Sequence, residues 1–159
     1  MWHGHRAAIL GAMSREAVEA ARRAFEDASR VKDPSGRVVD VLDPETLAVV
    51  FESFHPEIEA REDPSFPEAG LYRGRDAVRG YFEQVMESFD EFTFEAEDFI
   101  DAGEDRVLVL LHTRMRGRGS GVAVEARPGW IYTIRAGKTV RIEAYLDQAE
   151  ARAAAGLSG

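Results

Sequence analysis

The residues equipped for chemistry are few: Asp63, His112, Trp130 and Tyr132, with Arg61 and Tyr72 flanking the first of them. Asp63 stands directly before Pro64, at the end of a strand-like run from His55 to Glu62. Taken by itself, an aspartate before proline reads as a turn residue facing water. At the lip of an apolar cavity the same carboxylate would lose solvation, its charged form would be disfavoured, and it would become a stronger base. His112 and Arg114 lie two apart on a later strand, on the face of Leu108 and Leu110, where a histidine at a strand end is also an ordinary residue. Trp130, Tyr132 and Ile134 share a face of the next strand. Lining a hollow, they would form an aromatic wall with one phenol and one indole N–H, suited to a flat apolar ligand; plain core packing gives the same pattern.

Other chemical signals are weak. His3, His5, His55 and His112 lack metal-ligand spacing, and no glycine-rich loop has phosphate-cradling form. The Met1 amine with His3 third in line could hold copper or nickel, although a leader is the plainer reading. Arg114-Met115-Arg116-Gly117-Arg118-Gly119 reads as a basic hairpin turn rather than a nucleic-acid contact. The chain has 159 residues, enough for one domain with a sizeable core. A net charge of −9 argues against nucleic acid or anionic membrane as a partner. The absence of cysteine excludes disulfides and thiolate sites, and no apolar run is long enough to span a bilayer. A cytoplasmic location is expected by default.

The elements that must position these residues follow from periodicity. Residues 1–13 are expected as a flexible extension and 14–157 as the domain. Helix one starts at Ser14 and runs to about Arg30, with Val18, Ala21, Phe25 and Ala28 on one face. Residues 32–43 read as a loop. Asp43-Pro44 opens helix two, which buries Leu47, Val50, Phe51 and Phe54. Residues 64–74, with two prolines and two glycines, read as a rim loop, and helix three covers about Arg75 to Phe89 with Phe82 on its apolar stripe. Strands then follow at about Phe92–Ile100, Arg106–Arg116, Val122–Arg135 and Lys138–Leu146, with hairpin turns at Gly103-Glu104 and Ala136-Gly137. Val107 to Leu111 is apolar at five consecutive positions, so that strand must be covered on both faces. A homodimer through the outer sheet face is the expected cover.

The order of elements, the Arg61-Glu62-Asp63-Pro64 step, the Gly74-Arg75-Asp76-Ala77-Val78 opening of helix three and the closing hairpin Trp130–Asp147 resemble the NTF2-like superfamily, in particular its SnoaL-like polyketide cyclase and ketosteroid isomerase branches. The resemblance covers about Ser14 to Leu157. It implies an α+β fold: three helices packed in a cone made by a strongly curved, mostly antiparallel sheet around an apolar pocket. It implies cofactor-independent acid/base chemistry on a small apolar molecule, as an isomerase, cyclase or dehydratase; the alternative is a non-catalytic ligand-binding or dimerisation domain. Asp63 takes the place of the isomerase base. The oxyanion donors of that branch fall on Phe25 and Trp130, which cannot replace them. The cyclase acid/base pair points to Asp147 and His112, although Asp147-Gln148-Ala149-Glu150 also reads as a capping box. Arg61, Tyr72, Trp130, Tyr132, Phe25, Phe54 and Phe82 are the expected ligand contacts, with no metal and no cofactor.

Overall fold

A long pair of strands, bent around one side of the helices, sets the shape of the molecule. The computed structural model describes residues 2–65 and 69–157, with side chains from Arg15 onward. Helix α1 is Trp2–Ser29, so the helix does not begin at Ser14 as expected. Good helix formers (Ala7, Ala8, Leu10, Ala12) precede Ser14 and carry the helix through it. Helix α2 is Pro44–Glu52, and the Asp43 carboxylate caps it by accepting from the Thr46 N–H at 3.0 Å. Helix α3 is Arg75–Met86, entered through Gly74 at φ 90°, a backbone angle that favours glycine.

Among the described residues eight strands form one open sheet: β1 Val38–Asp40, β2 Phe54–Arg61, β3 Leu71–Arg73, β4 Phe89–Gly103, β5 Arg106–Gly117, β6 Ala123–Ala126, β7 Gly129–Arg135 and β8 Lys138–Tyr145. Their order is β1-β4-β5-β7-β8-β2-β3, with β6 paired to the far half of β5. Every pairing is antiparallel except β2 with β8. The register of β4 against β5 slips at Phe89/Glu91, Ala96/Asp98 and Asp101/Gly103. Such bulges add twist and bend the ribbon, which lets the sheet wrap α1, α2 and α3.

Two stretches expected as loops contain short strands. β1 lies within 32–43 and β3 within 64–74; each pairs with a longer neighbour through only three registered residues. The strand expected over 122–135 is divided at Arg127-Pro128, because proline donates no ladder bond. The Pro128 carbonyl still accepts from the Leu111 N–H at 3.0 Å.

The apolar run of β5 is buried throughout, and its two faces meet different partners. Val107, Val109 and Leu111 join the main core beneath the helices. Leu108 and Leu110 pack with Ile131 against Ala151 and Ala155, around a fourth helix, α4, Gln148–Ala154. This helix starts at Asp147, whose carboxylate accepts from the Ala149 and Glu150 N–H groups. On the outer face, Leu108, Leu110 and Ile131 are thus covered by α4. Gly129 permits the close approach: a Cβ there would sit 2.5 Å from the Ala151 Cβ.

Candidate functional site

Two adjoining hollows lie between the helices and the concave sheet. The inner one, about 70 Å³, is lined by Phe25 and Phe51 from the helices and by Phe54, Trp130, Tyr132 and Thr139 from the sheet; Phe54, expected in helix two, opens β2 because α2 ends at Glu52 before Pro56. The outer one, about 100 Å³, is lined by Ala60, Arg61, Glu62, Tyr72, Tyr81 and Ile142, among others. Phe82, Met86, Phe94 and Trp130 belong to both and form the wall between them. The aromatic rings interlock: Trp130 lies 5.2 Å from Phe94 and 6.3 Å from both Phe82 and Tyr132, centroid to centroid. Phe25 meets Tyr132 edge-on at 5.9 Å.

The face of β7 that carries Trp130, Tyr132 and Ile134 therefore lines the inner hollow, together with the expected contacts Phe25, Phe54 and Phe82. Arg61 and Tyr72 belong to the outer hollow, whose exposed Arg61 marks its open side. Tyr72 stacks on Tyr81 with centroids 4.3 Å apart and planes 20° from parallel. Tyr132 is 8% exposed. Burial pushes that phenol well above its ordinary range, because the phenolate would be stripped of water.

Asp63 sits elsewhere. It is 3% exposed but lines neither hollow. Its carboxylate accepts from the Leu146 N–H and from the Ser65 N–H, each at 2.7 Å. Burial alone would raise its pKa; the two backbone donors outweigh that and hold it below the usual carboxylate value. A carboxylate held in its charged form by two N–H groups is a weaker base than the cavity-lip position requires. Asp63 here ties the end of β2 and the turn after it to the end of β8.

The side chain that does reach the hollow is its neighbour. Ala60 is buried against the helices, and alternation along the strand brings Glu62 to the same side. Glu62 accepts from the Gly70 N–H at 2.8 Å, and the Glu62 N–H donates to the Gly70 carbonyl at 3.1 Å. Burial first, and the adjacent Glu62 carboxylate second, raise the Tyr81 hydroxyl above its ordinary range. Extending the alternation from Ile58 and Ala60 would have revealed Glu62 in the sequence.

His112 lies on the opposite face of β5 from the hollows, beside Leu110, and its Nε2 is 3.5 Å from a Glu125 carboxylate oxygen. It is not brought near Asp63, Trp130 or Tyr132, because odd-numbered β5 residues face the cone and His112 is even-numbered. Asp147 is occupied as the α4 cap. The Met1–His3 metal idea lies outside the described side chains; among the described residues no cluster of His, Asp and Glu could hold a metal ion. No helix there is long and apolar enough to cross a membrane.

A curved open sheet wrapped around three helices, with a hollow on its concave side, defines an NTF2-like α+β cone. A family profile described as a SnoaL-like domain matches residues 35–142, and the chain belongs to that family. Solved structures share the fold. An NTF2-like protein from Burkholderia thailandensis is 28% identical, with 87% of this chain and 97% of that chain covered and a TM-score of 0.59. A protein named as a SnoaL-like polyketide cyclase from Jannaschia sp. is 15% identical, covers 91% of this chain and 94% of its own, and has a TM-score of 0.65. An NTF2-like protein of unknown function from Burkholderia pseudomallei is 18% identical, with 86% and 95% covered and a TM-score of 0.62. Among curated proteins none matches.

Proposed function

We propose that this SnoaL-like domain takes a small, mostly apolar molecule into its cone and holds it by aromatic packing. The observation that carries this reading is the paired hollow, divided by Phe82, Met86, Phe94 and Trp130 and walled almost wholly by apolar side chains. Apolar hollows lined by aromatic residues with a few placed polar groups are the usual form of small-molecule sites. The test is a ligand-observed NMR screen of single-ring and two-ring compounds. Binders should compete with one another and raise the melting temperature. A screen in which no such compound binds defeats the reading.

A second reading is an isomerase, cyclase or dehydratase, favoured by the Glu62 carboxylate beside the Tyr81 phenol in the wall of the outer hollow. The acid/base group would then be Glu62 rather than Asp63. For a bound compound that is converted, Glu62→Gln should abolish conversion with binding retained. Conversion that survives Glu62→Gln rejects this second reading.

A further inference from the structure

The two hollows differ in charge. None of the inner lining residues is charged, whereas the outer wall includes Glu62 and Arg61. Those two point to opposite faces of the sheet. Alternation turns Glu62 inward with Ala60, while Arg61 is exposed and its charge acts on Tyr145, a residue of the outer face. The half-buried Glu62 carboxylate accepts from the Gly70 N–H at 2.8 Å. Among the described residues it forms no ion pair. A negative charge thus stands in a largely apolar wall, and a cation entering beside it would offset its lost hydration.

The rest of that wall is aromatic. Six rings follow one another along it, measured centroid to centroid: Tyr72 to Tyr81 at 4.3 Å, Tyr81 to Phe82 at 5.8 Å, Phe82 to Trp130 at 6.3 Å, Trp130 to Phe94 at 5.2 Å, and Phe94 to Phe92 at 5.1 Å. An aromatic face is negative, so rings around a hollow attract a weakly hydrated cation. Hydrocarbon packing alone explains the rings but leaves the inward carboxylate unexplained. A cation accounts for both.

We propose that the outer hollow binds a methylated ammonium cation, with its N-methyl groups against Tyr81, Phe82 and Trp130 and its charge opposed by Glu62. This rests on the cone being a ligand site and adds the ligand's charge and chemical class. A quaternary ammonium suits the wall better than a primary one, because its methyl groups present apolar surface and it has no N–H donors to satisfy. A trimethylammonium group has fewer heavy atoms than benzene, which enters apolar cavities of about 150 Å³. The outer hollow offers about 100 Å³ and opens on the side of Arg61, so the remaining substituent reaches water.

Choline and its neutral isostere dimethylbutanol, in which carbon replaces the ammonium nitrogen, separate charge from shape. Both are titrated by NMR into the full chain and into Glu62→Gln, whose amide oxygen can still accept from Gly70. Choline should bind the native chain roughly threefold to thirtyfold more tightly than dimethylbutanol, the range for a cation among aromatic faces. Glu62→Gln should weaken choline roughly threefold to tenfold, the loss of one partly screened charge, and leave dimethylbutanol unchanged. The methyl proton signal of bound choline should move upfield under the surrounding rings; this measurement needs no variant and holds even if Glu62→Gln folds poorly. Three results each overturn the proposal but leave the cone a ligand site: dimethylbutanol binding as tightly as choline, choline binding without the upfield shift, or a folded Glu62→Gln with undiminished choline affinity. Failure of both compounds to bind also overturns it, and if no other apolar compound binds, the site itself falls as well.

Discussion

Replacing Asp63 by asparagine separates its structural role from a catalytic one. The carboxylate accepts from two backbone N–H groups, of Leu146 and Ser65, both at 2.7 Å, at a site 3% exposed. An asparagine of the same shape keeps one acceptor oxygen but turns an NH2 toward the second N–H. One charge-assisted bond is lost, the other is weakened, and a buried donor is left unmet, for a total of about 2–4 kcal/mol. For a chain of this size each kcal/mol shifts the melting temperature by about 2–4 °C, so a fall of roughly 4–16 °C is expected. Urea denaturation followed by circular dichroism should show a lower midpoint at an unchanged slope. The pH dependence has a definite sign. The folded pKa lies below the ordinary 3.8, so the contribution is complete above that value and disappears as pH falls through the folded pKa. The difference between native chain and Asp63→Asn should therefore be constant from about pH 7 to pH 5 and narrow below about pH 4. An Asp63→Asn protein melting within about 1 °C of the native chain at pH 7 would refute the account.

Three further outcomes are expected. Gly129→Ala should destabilise by about 1–3 kcal/mol, because its methyl would meet Ala151 at 2.5 Å and push α4 off the sheet; hydrogen exchange at Leu108 and Leu110 should rise in parallel. Phe82→Ala should merge the two hollows, lower stability by about 2–4 kcal/mol in urea titrations, and bind two-ring compounds more tightly than the native chain does. Ending the chain before Gln148 should bare Leu108, Leu110 and Ile131, and light scattering should then report self-association.

Local signals carried the sequence reading a long way. Asp43-Pro44 and Asp147 announce their helices because a cap is settled within four residues, and both carboxylates accept the expected N–H groups. The alternation Trp130, Tyr132, Ile134 names the cone-facing side of β7 because a strand has only two faces. What was not legible depends on distant partners. Asp63 is drawn away from the hollow by the N–H of Leu146, which lies 83 residues along the chain, and nothing near Asp63 signals that bond. The apolar run of β5 requires covers on both faces but does not identify them; the main core supplies one and α4 the other, over Leu108 and Leu110. His112 shares the side of that outer cover, so its distance from the aromatic wall follows from the same assignment.

The parallel union of β2 and β8 constrains how the chain can be made. Phe54 aligns with Thr139 and Arg61 with Glu143, so an element from the first half waits for one near the end. During synthesis the N-terminal helices and β2 leave the ribosome long before the strand that closes beside them exists. Until then one flank of β2 has no permanent neighbour, and its backbone groups are open to water, to chaperones or to another nascent chain. Such distant pairings slow folding. The last step should be the arrival of β8 and α4, which completes the wall around the hollow and seals the outer face at nearly the same moment.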